Sequence, residues 1–245
     1  ATYGAITTAA RTFLVQGPAS ERVYLPAVMK NYPPSTPSNW VTIISENFEG
    51  SFPGQWNVFD NDGATNGEYY WAKRNCRADT GSYSGWAVGG GTNGAALACG
   101  NSYPSNSDSW MEYGPFSLVD ASAAELNFRL WMNSESGFDR VCRAASVNDL
   151  DFYGTCTSGN SAGWIDRTLD LSNVPTLGNL LGQPNVWIAL IFESDSSVTF
   201  SEGGYVDNIV LRKCISGTCT GLDAFTPASE PDRLMEFQTV RTRPR

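Results

Sequence analysis

The sequence predicts an all-β protein, a jelly-roll β-sandwich with extended N-terminal and C-terminal arms. Three observations support this fold class. Short segments alternate between apolar and polar residues, and clusters of Gly, Asn, Asp, Ser and Pro separate these segments. A third is that no segment shows the 3.6-residue period of an amphipathic helix. The clearest alternation lies in residues 124–133, where one face carries Leu126, Phe128, Leu130 and Met132 and the other Asn127, Arg129 and Trp131.

Composition divides the chain into four parts. Residues 1–32 form an extended arm rich in Thr and Ala, and residues 33–39 are a linker of Pro, Ser and Thr with polyproline character. Residues 40–220 are predicted to form the sandwich, and residues 221–245 an extended tail.

The predicted strands follow one another along the sandwich. We interpret the stretch 45–56 and the segment 203–211 as the opening and closing of one domain. Alternation or β-branched and aromatic content predicts strands at 40–44, 55–59, 69–74, 84–88, 95–98, 109–113, 116–118, 124–133, 140–146, 149–153 and 186–193. Residues 166–175 are predicted as a looser connection, and residues 233–241 as one more extended strand.

The cysteines predict disulfides and an oxidising, extracellular compartment. There are six, an even number, and the chain has no His that would favour a zinc site. Sequential neighbours are the expected pairs: Cys76–Cys99, Cys142–Cys156 and Cys214–Cys219.

Charge and the length of the apolar runs exclude two classes of partner, nucleic acid and the membrane interior. The formal net charge is −9 and the arginines are scattered, so the chain lacks the basic face that nucleic acid requires. No apolar run approaches the roughly 20 residues of a membrane span. Ala1 is a small residue of the kind that follows signal-peptide cleavage, which agrees with secretion.

Several short motifs resemble those of a known fold family. They are Phe48-Glu49-Gly50, Gly54-Gln55-Trp56, Tyr70-Trp71 and Tyr205-Val206-Asp207-Asn208-Ile209 ahead of Cys214. Together, over roughly residues 40–220, they resemble MAM-type jelly rolls, and the related jelly rolls of carbohydrate-binding modules and of bacterial secreted peptidases. This superfamily includes adhesive, sugar-binding and structural members.

The resemblance also implies a structural cation where the first and last strands meet. The corresponding carboxylates here are Glu49 and Asp207, and two carboxylates with backbone carbonyls and water would suit Ca²⁺. The alternative is that both side chains cap turns by hydrogen bonding. A second oxygen-rich stretch, residues 60–63, begins like a calcium loop but lacks the later Glu, which favours an ordinary Asx turn.

Catalysis is not expected. Without His, the Ser-His-Asp and Cys-His mechanisms are excluded, and the glycine cluster at 89–94 lacks the Lys of a phosphate-binding loop. A carboxylate pair such as Glu112 and Glu193 is the remaining candidate, and acidic sandwiches offer such pairs by chance.

The N-terminal arm suggests the leading functional hypothesis. Residues 1–16 are β-prone and nearly uncharged, so this segment could add as a strand to a neighbouring copy. Head-to-tail donation would make the protein a secreted structural subunit of an extracellular filament or cell-adhesion assembly. The proposed assembly residues are Tyr3, Ala5, Ile6, Thr8, Ala10, Phe13 and Val15.

The alternative is a monomeric carbohydrate- or surface-binding module accessory to a secreted enzyme. Eight Trp and ten Tyr residues could supply stacking platforms for glycans. Trp131 lies on the polar face of its strand, so it could be an exposed platform or could pack on the other sheet. Core and platform positions are both open for Trp71, Trp86, Trp110 and Trp164, and for any single Trp the core is favoured.

Overall fold

The structure is a computed structural model, and it describes residues 39–215, 219 and 235–242. The predicted assembly residues, Tyr3 to Val15, and the linker residues 33–38 lie outside the described residues. Within the described part, no helix has the length and apolar character that crossing a membrane requires.

The described residues form a β-sandwich of two antiparallel six-stranded sheets, which confirms the predicted fold class. The strands are β1 (Trp40–Glu46), β2 (Asn57–Asp60), β3 (Tyr70–Arg74), β4 (Ser84–Gly90), β5 (Asp108–Phe116), β6 (Ala123–Asn133), β7 (Arg140–Ser146), β8 (Asp151–Ser158), β9 (Ile165–Asp170), β10 (Val186–Glu193), β11 (Gly203–Cys214) and β12 (Met235–Val240). Sheet A has the order β3-β4-β11-β6-β9, with β1 also paired to β11. Sheet B has the order β12-β8-β7-β10-β5-β2.

The first strand of the domain pairs with the strand that closes it. The β1–β11 ladder runs from Trp40 opposite Cys214 to Glu46 opposite Ile209. The strand covers residues 40–46, so most of the stretch 45–56 follows it as a loop rather than forming the opening strand. Phe48 from that loop is fully buried and packs on Phe52, with ring centroids 5.0 Å apart.

The main core lies between the sheets, where the alternating apolar faces meet. Leu126, Phe128, Leu130 and Met132 of β6 are all buried there, as their period of two predicted. From sheet B, Ile188 and Leu190 face them.

Sheet B has a second apolar cluster on its other face, and the cluster shows that this face is concave. Trp110 of β5 meets Phe152 of β8 with ring centroids 5.1 Å apart. Two strands separate β5 from β8, a distance of about 14 Å in a flat sheet. Small residues on those intervening strands, including Ala144 and Ala189, leave room for the rings.

Two of the local predictions differ from the structure, and a third is confirmed. Residues 165–170 form β9 rather than a loose connection, because Leu169 packs in the core while β9 pairs with β6. Residues 95–98 are not a strand, since a one-turn helix α1 (Gly91–Gly94) redirects the chain. The extended strand predicted at 233–241 is present as β12, which pairs with β8 in sheet B.

All three predicted disulfides are present. Cys76–Cys99 and Cys142–Cys156 join residues whose Cα atoms are 5.2 and 4.0 Å apart, and Cys214 pairs with Cys219. Cys142 and Cys156 are direct partners in the β7–β8 ladder, so this bond staples a hairpin. These bonds are typical of an oxidising, extracellular environment.

Candidate functional site

Three loops at one end of the sandwich form the candidate site, which we call the loop end. It comprises residues 101–107 before β5, residues 134–139 between β6 and β7, and residues 194–202 between β10 and β11. Loops at the end of a rigid sandwich are free of packing constraints, which is why such loops commonly carry binding residues.

Tyr103 and Asp139 hold the loop end together. The buried Tyr103 hydroxyl donates a hydrogen bond to Asp139 Oδ2 and accepts one from the backbone N–H of Glu135 at 3.2 Å. Asp139 Oδ1 accepts the backbone N–H of Asp195 at 2.8 Å. One buried tyrosine and one buried carboxylate thereby join all three loops.

Three carboxylates meet at this end. One oxygen each from Glu135, Asp139 and Asp195 lies within 4.8 Å of the others, a set of hard oxygen atoms of the type that binds a divalent cation. Burial raises the pKa of Asp139, and the charges of Asp195 and Glu135 add to that rise. Hydrogen bonds from the hydroxyl and the backbone N–H of Ser197 lower the pKa of Asp195.

Apolar side chains project into solvent beside these carboxylates. Phe138 is 58% exposed, Val198 52% and Phe200 41%. Phe138 follows Glu135 in the same tight turn, in which the Phe138 N–H donates to the Glu135 carbonyl. The 194–202 loop is linked to that turn by a 2.9 Å hydrogen bond from Ser197 Oγ to Glu135 Oε2. The loop end therefore combines exposed rings with carboxylate and hydroxyl groups.

Glu49 and Asp207, the predicted calcium ligands, both hold the loop 77–83. Asp207 is fully buried, and its Oδ2 accepts the N–H groups of Asp79 at 2.9 Å and Thr80 at 3.2 Å. Glu49 Oε1 accepts the N–H groups of Ser82 and Tyr83 at 2.8 and 2.9 Å. These two bonds lower the pKa of Glu49.

The donors around Glu49 and Asp207 fit turn capping better than a cation. N–H groups fill both lone pairs of one oxygen on each carboxylate, and the second Asp207 oxygen accepts the Asn208 N–H at 2.7 Å. Calcium binding at this pair stays a prediction.

Trp131, the predicted platform, is half-buried under a cation. The Arg77 guanidinium lies 3.7 Å from the Trp131 ring centroid and forms an ion pair with Glu202. Trp131 also meets Tyr205 edge-on, and Tyr205 stacks on Trp86. Trp71, Trp86 and Trp110 are fully buried, which leaves the core alternative for these three, whereas Trp164 is only partly buried against the core.

The carboxylates considered for catalysis are paired with arginines. Glu112 is fully buried, and its Oε2 lies 3.0 Å from Arg241 Nε. Glu193 accepts two hydrogen bonds from Arg140, while burial raises its pKa. The structure does not bring these two candidates together as a pair, because Glu112 lies next to Ala189 in the β5–β10 ladder whereas Glu193 pairs with Asp108.

Comparison with known proteins finds distant structural neighbours. No family model matches the chain. No curated protein matches it either. The K1 cleaved adhesin domain of Lys-gingipain from Porphyromonas gingivalis W83 is 15% identical, with a TM-score of 0.44 over 71% of this chain and 98% of that one. The CBM22-1 xylan-binding domain of Paenibacillus barcinonensis Xyn10C is 11% identical, with a TM-score of 0.43 over 72% and 97%.

A family 11 carbohydrate-binding module from Clostridium thermocellum is 14% identical, with a TM-score of 0.41 over 70% of this chain and 95% of that one. These neighbours are adhesin and carbohydrate-binding domains. The resemblance to MAM-type domains stays an expectation.

The loop end was not predicted from the sequence. Its three carboxylates come from two loops almost 60 positions apart, and each sits in an ordinary turn sequence. The unusual signal was Phe138, a large aromatic residue next to Gly137 in a turn that is otherwise polar.

Proposed function

We propose that this chain is a non-catalytic extracellular module that binds glycans through its loop end. The observation that carries the proposal is the exposed Phe138 ring beside the carboxylates of Glu135, Asp139 and Asp195. A ring can cover the apolar C–H face of a sugar, and carboxylates accept hydrogen bonds from its hydroxyl groups. A few directed polar groups around an apolar surface are typical of ligand sites.

The loop end suits binding because its support is rigid. Tyr103 and Asp139 are buried and hydrogen-bonded, and they fix the backbone N–H groups of Glu135 and Asp195. Preorganised groups lose less conformational entropy when a ligand binds. Glu112 is paired with Arg241 and Glu193 with Arg140, which agrees with a module that binds without catalysis.

A glycan array followed by titration calorimetry tests the proposal. Phe138→Ala should weaken binding of any glycan found by at least about tenfold, since a buried ring contact is worth roughly 1–3 kcal/mol. Phe138→Leu, which keeps apolar area and loses the ring, should also weaken it. Val119→Ala is the matched control, because Val119 is 62% exposed and follows β5 at the opposite end of the sandwich.

Unchanged affinity in both Phe138 variants would place the ligand elsewhere. The half-buried Trp131 would then be the next position to mutate. Absence of any glycan ligand for the wild-type protein would overturn the proposal itself.

Filament assembly by donation of residues 1–16 stays a prediction. Negative-stain electron microscopy of the full chain and of a variant lacking residues 1–16 would test it. Polymers that persist after the deletion would contradict donation from this arm.

A further inference from the structure

The strand β12 and the two residues after it occupy a groove on the concave face of sheet B, where the second apolar cluster lies. β12 lies at the edge of sheet B and pairs only with β8 among the described strands, from Met235 opposite Cys156 to Val240 opposite Asp151. The pairing continues as Arg241 N donates to the Leu150 carbonyl at 2.8 Å. These backbone bonds fix the register of the segment 235–242.

Two side chains anchor this segment in the concave face of sheet B. Phe237, 4% exposed, joins the cluster that contains Trp110 and Phe152. Arg241, 6% exposed, places its guanidinium 5.1 Å from the Phe59 ring centroid and ion-pairs with the fully buried Glu112. Removal of either partner would leave the other as an uncompensated buried charge, so Arg241 and Glu112 each require the other in this groove.

The end of the segment reaches β2 at the opposite edge of sheet B. Thr242 N donates to Asn61 Oδ1 at 2.7 Å, and Asn61 Nδ2 donates to the Val240 carbonyl at 3.2 Å. Glu236, Gln238 and Val240 on the other face of β12 are exposed. The buried side chains of this short extended segment therefore all lie on one of its faces, and that face fills one groove.

The contacts of this segment are independent of how it is joined to the domain. Residues 215–234 connect β11 in sheet A to β12 in sheet B and include Pro227 and Pro231. Because the Cys214–Cys219 disulfide closes the start of this connection, about 15 residues remain, and they can span up to roughly 50 Å when extended. A second copy of the chain can therefore present the same segment to the same groove with every contact preserved.

We propose that this groove is an interaction surface for a second copy of the chain, which binds by exchanging residues 235–242. Addition of a strand to the β8 edge supplies backbone hydrogen bonds, and the Phe237 and Arg241 contacts supply specificity. The intramolecular segment competes at an effective concentration in the millimolar range, so exchange increases as the local protein concentration rises. This inference does not depend on glycan binding at the loop end.

Two variants of the full chain, each with one cysteine added to the six that form disulfides, test the exchange. Asp151 and Val240 face each other in the β8–β12 ladder and both are accessible to solvent. Asp151→Cys and Val240→Cys chains are mixed at high concentration under mild oxidation. Exchange predicts a disulfide-linked heterodimer at twice the monomer mass, increasing with concentration.

The controls separate exchange from random oxidation. Val119→Cys mixed with Val240→Cys should give only background dimer, because Val119 lies on no strand of sheet B. The double variant in one chain reports the intramolecular state as a crosslinked monomer. A crosslinked double variant, together with heterodimer at background level at every concentration, would overturn the proposal.

Complementary charge reversal provides a second readout. Glu112→Arg and Arg241→Glu each place like charges in the groove of their own chain, whereas a mixture restores opposite charges only by reciprocal exchange. Native mass spectrometry should show a heterodimer in the mixture and little dimer in either variant alone. Monomers only in the mixture, with the combined Glu112→Arg/Arg241→Glu chain folded, would also contradict exchange.

Discussion

Asp60 shows how one buried carboxyl can set the pH response of this protein. It ends β2, is 2% exposed and accepts the Tyr69 N–H at 2.7 Å. Burial and the neighbouring Asp62 raise the pKa of Asp60 to about 7. The turn 60–63, whose sequence begins like a calcium loop, is closed by the Gly63 N–H, which donates to the Asp60 carbonyl at 3.3 Å. Its first carboxyl is shielded from water.

A raised pKa predicts lower stability at higher pH. The stabilising contribution of protonated Asp60 is fully present below its unfolded pKa of about 4 and is lost as the pH rises through about 7. Asp60→Asn stays neutral and keeps an oxygen for the Tyr69 N–H. We expect it to raise the free energy of unfolding by on the order of 1–2 kcal/mol at pH 8 and to change it little at pH 4.5.

Urea unfolding at the two pH values measures this difference. Asp62→Asn is the control, since it removes the neighbouring charge and should give a smaller gain in the same direction. An equal effect of Asp60→Asn at both pH values would show that Asp60 does not titrate in this range.

At the scale of the element, the loop 77–83 is held by charged groups from four strands or loops. Arg129 of β6 binds Asp79 with two hydrogen bonds, at 3.1 and 3.2 Å, and also pairs with Asp166 of β9. Glu49, Asp207 and the Arg77–Glu202 pair hold the rest of the loop. The loop thereby covers the outer face of sheet A, including Trp131.

Removing Asp207 should release this loop. Asp207→Ala leaves the N–H groups of Asp79 and Thr80 without their acceptor, and we expect a loss of about 1–3 kcal/mol in the free energy of unfolding. Asp207→Asn retains an oxygen acceptor and should lose less. Hydrogen exchange at Asp79 and Thr80 should accelerate in the Ala variant, whereas unchanged protection would contradict the capping role.

Chelation distinguishes capping from metal binding at the same residues. If Glu49 and Asp207 act only as caps, EDTA leaves the Tm of the wild-type protein unchanged. A fall in Tm with EDTA that is absent in Asp207→Asn would instead support the calcium prediction.

For the whole molecule, three disulfides reinforce a sandwich with two apolar clusters. Cys142 and Cys156 are 14 positions apart and Cys76 and Cys99 are 23 apart, whereas Cys214 and Cys219 are only 5 apart. Cross-links that close longer loops restrict the unfolded chain more. The first two bonds therefore contribute more to stability than the third.

Replacement of each cysteine pair by alanine tests this order. We expect losses of about 3 kcal/mol for the pairs at 142–156 and 76–99, and a smaller loss for the pair at 214–219. Guanidinium unfolding under non-reducing conditions measures each one. A larger loss for the 214–219 pair would show that local structure, rather than loop closure, dominates.

The fold class, the disulfide pairs and most of the strands could be predicted from the sequence alone. Successive side chains of a strand point to opposite faces of the sheet. The alternation in residues 124–133 therefore predicted which face of β6 packs in the core. An even number of cysteines without any His predicted disulfides, and the strands predicted at 140–146 and 186–193 match β7 and β10 to the residue. These features are local, so a one-dimensional pattern carries them.

The places where distant side chains meet depend on how the strands pair and the sheets pack, and no local pattern in the sequence indicates them. Residues 165–170 alternate weakly and became a strand because β6 offered an edge. Glu135 and Asp195 converge because two strand ends, β6 and β10, lie at the same end of the sandwich. Arg241 reaches Glu112 because sheet B curves, and curvature depends on which side chains fill the concave face rather than on any short segment.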